Sequence, residues 1–374
     1  MIFLAAFITT IYVGLITSFI IGMDAVKPFK TTKKEANNSF SILIPFRNEA
    51  AKLPTLLKSL EHLNYPNSKF EVVFIDDDSD DDSVKIIERH FNKLSITFSI
   101  LENVQKTNSP KKDAIDTAIQ HSKFNWIVTT DADCSLPENW LHTFDGFIQE
   151  KNPKMIVAPV AYESKNTFLE RFQQLDFLSL MGSTQGGFGI KKPFLCNGAN
   201  LCYSKQTFFE VNGFEGNNTI ASGDDIFLLE KITTAYPNGV SYLKATDAIV
   251  TTTPQPTFKK LIAQRVRWAA KATAYKNKFS KFVSLTVASM NLLLIILFLG
   301  SLFINISWQL TLTVFVLKFL IDGILLFKTA AFFKQLYVLK QYLLSSLLYP
   351  LFTMFVIATS LKTDYQWKGR KFKK

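Results

Sequence analysis

Histidine and cysteine are scarce in this chain: its 374 residues include 4 of the first and 3 of the second. His62, His90, His121 and His142 are scattered, none with a second ligand at metal spacing, so each reads as an ordinary surface or core residue. Cys134, Cys196 and Cys202 are an odd number without metal spacing and read as free thiols in a reducing compartment. Acid is short against base: 31 Asp and Glu face 42 Lys and Arg, which leaves a net charge of +11. Signatures of nucleic-acid binding are missing, so the positive charge suits an anionic membrane face or an anionic small substrate. Positive charge is also missing before the first apolar run, where a cleaved signal peptide would carry it.

Apolar residues are plentiful, at 48% with 35 Phe, and the excess lies at the two ends. Ile2 to Gly22 is uncharged and long enough to span a bilayer at about 1.5 Å per residue. Lys27, Lys30, Lys33 and Lys34 follow it. That bias predicts an uncleaved anchor over residues 1–22, a linker over 23–39 and a cytoplasmic domain beyond, in an integral inner (cell) membrane protein. A C-terminal membrane region covers 282–361. Residues 283–304 and 342–361 read as spans, while 311–327 is the weaker segment, with Lys318 and Asp322 one turn apart as an internal pair. The tail, 362–374, carries Lys362, Lys368, Arg370, Lys371, Lys373 and Lys374, which places it in the cytoplasm. Domain and tail on one side require an even number of crossings between them. Either one candidate, with the middle segment the first choice, is re-entrant or interfacial, or residues 332–339 complete a fourth.

Between the ends, strands alternate with helices, which predicts an α/β domain over 40–256 with a parallel, doubly wound sheet. Strands are expected at 40–46, 70–75, 96–101, 126–130 and 155–161, and helices at 50–63, 83–91, 111–120, 167–181 and 226–235. Residues 182–189 read as a glycine-rich loop and 197–200 as a turn. Residues 257–281 read as one basic amphipathic segment; eight Lys or Arg and no acid fall between Phe258 and Lys281, which suits an anionic membrane face.

The chemistry-bearing residues sit at strand ends. The apolar run from Trp126 to Thr130 stops at Asp131-Ala132-Asp133. Two carboxylates one residue apart cannot both enter a core unpaired, and carboxylate oxygen suits Mg²⁺ or Mn²⁺. A lone pair of this kind is more often an acidic turn capping a helix. The second strand runs into Asp76 to Asp82, six carboxylates in seven residues, at the strand end where open α/β sheets bind ligands. Gly223-Asp224-Asp225 opens a helix, and Gln264-Arg265-Val266-Arg267-Trp268 lies inside the basic segment. Taken alone, Arg267 and Trp268 suit a membrane surface as well as a site.

In order, Ser41 to Glu49 (SILIPFRNE), Asp76-Asp77, Lys111 before a helix, Asp131-Ala132-Asp133, Gly223-Asp224-Asp225 and Gln264-x-x-Arg267-Trp268 resemble a membrane-bound family 2 glycosyltransferase with the GT-A fold. The resemblance covers roughly residues 40 to 270. It implies that Pro45, Arg47 and Glu49 meet the nucleotide, that Asp77 with Asp76 binds uracil, and that Lys111 lies near the nucleotide. Asp131 is implied beside ribose and metal, Asp133 as the metal ligand, and Asp225 as the base that deprotonates the acceptor. Gln264, Arg267 and Trp268 are implied as the acceptor and diphosphate platform. Two positions depart from the family pattern: Asp224 stands where Glu is usual beside the base, so Asp224 stays a candidate too, and Asp78 stands where Gly is usual. The expected activity is inverting, metal-dependent transfer of a sugar, UDP-linked by this resemblance, to a lipid or lipid-linked saccharide. The alternatives are a processive synthase of the cellulose or hyaluronan type, and an inactive nucleotide-sugar-binding membrane subunit. A processive synthase needs a polar channel that so few spans hardly line.

Overall fold

A computed structural model describes the chain apart from residues 32–34, 164–166, 218–222, 272–273, 363–364, 368–369 and 373–374, and apart from the side chains of 365–367 and 371–372. Lys33, Lys34, Lys368, Lys373 and Lys374 therefore lie outside the described residues, and the side chain of Lys371 with them.

Strands β1 (Phe40–Phe46), β2 (Phe70–Asp76), β3 (Thr97–Glu102) and β4 (Trp126–Thr129) run parallel in the order β3-β2-β1-β4. β1 and β2 are buried on both faces because helices cover both sides of the sheet, and their polar exceptions, Ser41 and Glu71, bond each other at 2.6 Å. Helices α2 (Leu53–Glu61), α3 (Ser83–Phe91), α4 (Pro110–His121) and α5 (Trp140–Lys151) connect or flank these strands. The sheet continues through β8 (Leu201–Ser204), β6 (Met155–Val157) and β9 (Val240–Tyr242). The expectation of a wholly parallel sheet fails at β8, which is antiparallel to both β4 and β6. The chain reaches the ligand-binding end first, turns through the 3₁₀ segment Gly198–Asn200, and so enters β8 in the opposite sense. A small second sheet joins β5 (Cys134–Ser135), β10 (Val250–Thr252) and β7 (Val160–Tyr162).

Three further expectations are corrected. The single strand over 155–161 is two, β6 and β7, in different sheets. The break contains Pro159, which has no N–H to give a ladder. The glycine-rich stretch 182–189 is not a loop but the end of α6 (Phe168–Gly189), a helix opened by a capping box between Thr167 and Glu170. Its glycines allow close contact with α1 (Ile2–Ala25): a Cβ on Gly22 would lie 2.1 Å from the Gly186 carbonyl oxygen. The basic segment 257–281 also divides. After α7 (Lys205–Glu210) and α8 (Asp224–Ala235), α9 spans Phe258–Ala270. Asn277 then caps α10 (Lys278–Phe303) by accepting from the N–H groups of Phe279 and Ser280.

Among the described residues, four helices are long and apolar enough to cross a membrane: α1, α10, α11 (Trp308–Phe332) and α12 (Tyr342–Lys362, with the turn before it). The middle C-terminal segment is thus a full helix of 25 residues. Lys318 and Asp322 do pair, at 2.5 Å, and Tyr12 of α1 donates to the same carboxylate at 2.8 Å. Residues 336–341 form no helix of their own length but a 3₁₀ lead into α12. Asp24 at the end of α1 meets Lys328 near the end of α11 at 2.6 Å, so both ends lie together. The Lys244 ammonium donates to the Met23 carbonyl at 2.7 Å and fastens that end to the α/β domain. α12 begins and ends against the same domain. Gln335, just before it, donates to the Tyr162 carbonyl at 2.9 Å. The hairpin of β11 (Tyr365–Trp367) and β12 (Arg370–Phe372), just after it, brings Arg370 to Asp77 at 2.7 Å.

Candidate active site

The carboxyl ends of β1, β2 and β4 open on one edge of the sheet. Pro45 pairs in register with Ile75, and Asp77 donates its backbone N–H to the Phe46 carbonyl. Arg47 reaches across to the Asp77 carbonyl at 2.6 Å and to the Asp78 carboxylate at 3.0 Å. Asp78 adopts φ 65, the left-handed conformation that glycine takes freely and aspartate tolerates, which accounts for an acid at a position expected to be glycine. Asp77 is buried. One of its oxygens accepts from Asn103 at 2.7 Å and Gln105 at 3.1 Å, and the other from Arg370. Asp76 turns away into the loop, where its carboxylate accepts the Ser79 N–H at 3.0 Å.

Ala132 is buried, and the flanking Asp131 and Asp133 are only partly covered. Each carboxylate meets a lysine. Asp131 lies 2.8 Å from Lys111, and Asp133 lies 3.1 Å from Lys52, which is also 3.6 Å from Glu49. Lys111 continues to Asp224 at 3.3 Å, so one ammonium joins the end of β4 to the start of α8. Gly223, with φ +88, supplies the left-handed turn that brings α8 in at this angle. Asp225 accepts the Gly198 N–H at 3.2 Å and lies 3.9 Å from Lys271. Burial opposes the charge of Lys111, but Asp131 and Asp224 outweigh it and hold the ammonium above the usual lysine range. Burial likewise pushes the Asp224 carboxyl up, but Lys111, Lys271 and Lys112 outweigh it and hold the group below the usual carboxylate range. Lys112 goes the other way: burial brings it down to about 8.

Asp131 and Asp133 fit a divalent ion of the oxygen-preferring kind. Among the described residues no group of three or more His, Cys, Asp or Glu converges, so an ion held by these two acids would need further ligands from substrate phosphate or water. That is the usual manner of Mg²⁺ with phosphate substrates.

α9 carries the residues expected to form the acceptor platform. Gln264 and Arg267 lie one turn apart, and Trp268 packs near Phe177 with ring centroids 6.4 Å apart. Lys271, at the end of α9, is the residue that reaches Asp225. Sequence reasoning brought none of Lys52, Asn103, Gln105, Lys271 or Arg370 into the site. Lys52 follows Glu49 by one turn and carried a local signal; the others come from distant elements. Arg370 had been read only as a charge fixing the side of the tail.

The family profile described as "Glycosyl transferase family 2" matches residues 41–209, and that described as "Glycosyl transferase family group 2" matches residues 126–361. The chain is 29% identical over 118 residues to poly(ribitol-phosphate) beta-N-acetylglucosaminyltransferase TarS of Staphylococcus aureus, a match covering 32% of this chain and 20% of TarS. It is 28% identical over 140 residues to beta-monoglucosyldiacylglycerol synthase of Nostoc, covering 36% of this chain and 29% of that protein. The chain thus spans only a minor part of these relatives. The structure of mannosyltransferase PcManGT from Pyrobaculum calidifontis, in complex with GDP-Man and Mn²⁺, superposes with a TM-score of 0.58 at 16% identity. That likeness covers 94% of this chain and 98% of the other and shows a shared GT-A fold.

Proposed function

The chain belongs to the family 2 glycosyltransferases, and from that premise we propose that it moves a sugar from a UDP-sugar to a hydroxyl of a lipid or lipid-linked saccharide at the membrane. The observation that carries this reading is the bridge made by Lys111 between Asp131 and Asp224. It sets the donor-side carboxylates beside the acids that open α8. Relatives named for a monoglucosyldiacylglycerol product and a poly(ribitol-phosphate) substrate support a lipid or glycan acceptor.

In this mechanism the acceptor oxygen bonds to the anomeric carbon as the bond from that carbon to the diphosphate breaks. The nucleotide diphosphate leaves with the electron pair. A sugar or glycerol hydroxyl is a poor nucleophile near neutral pH, so Asp225 takes its proton. Asp225 suits the role better than Asp224, which is more deeply buried and held by Lys111 at 3.3 Å. Asp77 accepts a base N–H, and Arg47 holds the loop that carries Asp77. Lys111 and Arg267 offset charge on the departing phosphates, where a guanidinium makes paired contacts that an ammonium does not. Asp133, with Asp131, would hold Mg²⁺ or Mn²⁺, whose chemistry is Lewis-acid neutralisation of the leaving group.

In the membrane, α1, α10 and α11 cross, and α12 lies against the catalytic domain without crossing. The contacts of Gln335 and Arg370 at its two flanks support this arrangement. Tail and catalytic domain then share one side, the cytoplasmic side by the charge rule. The experiment is mass spectrometry of lipids after expression in a host lacking glycolipids, with nucleotide release from purified protein followed in Mg²⁺ and in excess chelator. A new glycolipid and chelator-sensitive release are expected. Full release in chelator refutes the metal; a long polymer in place of single transfer refutes the acceptor.

A further inference from the structure

Resting on the reading of Asp131 and Asp133 as the metal-holding acids, we propose that Lys52 is a donor-responsive counter-ion. It pairs with Asp133 until a donor diphosphate takes its ammonium, so that Asp133 opens to a divalent ion only in the donor's company. Two ammoniums sit on this pair of acids, and they differ in freedom. Lys111 is 19% exposed and is held twice, by Asp131 at 2.8 Å and by the buried Asp224 at 3.3 Å. Lys52 is 46% exposed and lies 3.1 Å from Asp133, which is itself partly open to water. Water screens a pair of this kind, and it holds by about fivefold at most. Lys111 is therefore the fixed cation and Lys52 the exchangeable one. Glu49, three residues before Lys52, lies 3.6 Å from the same ammonium. The ammonium thus keeps a counter-charge when it leaves Asp133, and the move needs only rotations within its own flexible stem.

Helix stability does not explain a lysine here. Lys52 is the N-cap of α2, where Ser, Thr, Asp and Asn are preferred, and its side chain caps nothing. A helix N-terminus carries partial positive charge, which disfavours a cation, and the first turn of α2 holds no acid to offset it. The offset comes from outside the helix, from Glu49 and Asp133. An ammonium suits exchange between partners: it is a compact, hydrated point charge, whereas a guanidinium grips one carboxylate through two parallel bonds. While Lys52 pairs with Asp133, it competes with a divalent ion for one carboxylate. A diphosphate that draws Lys52 away removes the competition. Nucleotide and metal binding are thereby linked, by the same factor in each direction.

The test titrates Mn²⁺ into full-length protein in lipid nanodiscs, alone and with UDP or GDP, and follows free Mn²⁺ by electron paramagnetic resonance. No turnover enters the readout. Lys52→Met is expected to bind Mn²⁺ alone about two- to fivefold tighter than the wild type, the range of an exposed ion pair, and to show a nucleotide–Mn²⁺ coupling smaller by the same factor. Lys52→Arg keeps a cation on Asp133 and is expected to show no such gain. Lys58→Met removes the same charge from the last turn of α2, where Lys58 is exposed, and is expected to match the wild type. Melting temperatures near that of the wild type check the folds. Equal tightening in Lys58→Met and Lys52→Met makes the effect one of net charge and overturns the proposal. Lys52→Met with wild-type affinity for Mn²⁺ alone overturns it too. Tighter Mn²⁺ with unchanged coupling also overturns it, since Lys52 would then never leave Asp133 for the phosphate. A wild type that binds nucleotide but no Mn²⁺ overturns the metal role of Asp133 and this inference while the transferase reading stands. A wild type that binds neither UDP nor GDP overturns the transferase reading and this inference together.

Discussion

Replacing Asp77 with Asn tests the nucleotide end of the site most sharply. An ionised carboxylate offers about four acceptor positions. Three are filled: Asn103 and Gln105 share Oδ1, and Arg370 takes one place on Oδ2. The fourth, on Oδ2, is free to accept an N–H from a base edge, as N3–H of uracil requires. In Asp77→Asn one oxygen becomes NH₂. It cannot face Asn103 and Gln105, because donor would meet donor, so it takes the Oδ2 side. There it confronts both Arg370 and the base N–H. Hydrogen bonds to charged groups contribute about 1.5–3 kcal/mol, so UDP affinity should fall roughly 10- to 150-fold. Isothermal titration of UDP into full-length protein measures it directly. Arg370→Gln is the control: it removes the tail's charge but leaves the free acceptor position, and its loss should be the smaller of the two. Asp77→Asn protein that binds UDP as the wild type does would refute the assignment of this residue to the base.

Three other outcomes follow from the same geometry. Asp225→Asn should bind UDP normally and lose transfer by roughly 10²–10⁴-fold, the usual worth of a general base; if transfer persists, the matching loss in Asp224→Asn would move the role one residue back. Lys111→Met should destabilise the protein by about 1–3 kcal/mol, because the buried Asp224 loses its nearest cation. In the wild type, Asp224 is held below the usual carboxylate range, so its contribution is present at neutral pH and lost as pH falls through that lowered value. The melting gap between wild type and Lys111→Met should therefore be small in acid and widen toward pH 7; a gap independent of pH would refute the coupling. Finally, a reporter fused after Lys374 should be accessible from the same side as one inserted in the catalytic domain, and the opposite result would mean that α12 crosses the membrane after all.

Much of this was legible in the sequence because strand ends announce themselves. β1, β2 and β4 are mostly apolar runs that stop at charged residues, with Ser41 and Glu71 pairing inside at 2.6 Å, and Ser83–Phe91 was bounded correctly because an acidic turn precedes it and its apolar face repeats at helical spacing. The glycines of α6 misled for a physical reason. Locally, Gly182, Gly186, Gly187 and Gly189 weaken a helix. Their value appears only when α1 is in place, since Gly22 and Gly186 touch backbone to backbone. The direction of β8 was hidden likewise, because a turn at 198–200 looks the same whichever way the next strand runs. Arg370 was missed because nothing local distinguishes one arginine in a basic tail; its partner lies far off in the chain.

The lysines and arginines explain how so acidic an edge exists before any ligand arrives. Asp77, Asp131, Asp133, Asp224 and Asp225 gather at the carboxyl ends of β2 and β4 and the start of α8, where like charges repel. Each is instead matched: Asp77 by Arg370, Asp133 by Lys52, Asp131 and Asp224 by Lys111, and Asp225 more loosely by Lys271. Lys52 gains from the arrangement in return: burial opposes its charge, but Asp133 and Glu49 more than compensate. Such pairs offset the repulsion among the acids. Lys52 is half exposed, and under the proposed function its ammonium would be able to exchange Asp133 for a donor phosphate. The loosest of these pairs, at 3.9 Å, belongs to Asp225, the residue proposed as the base.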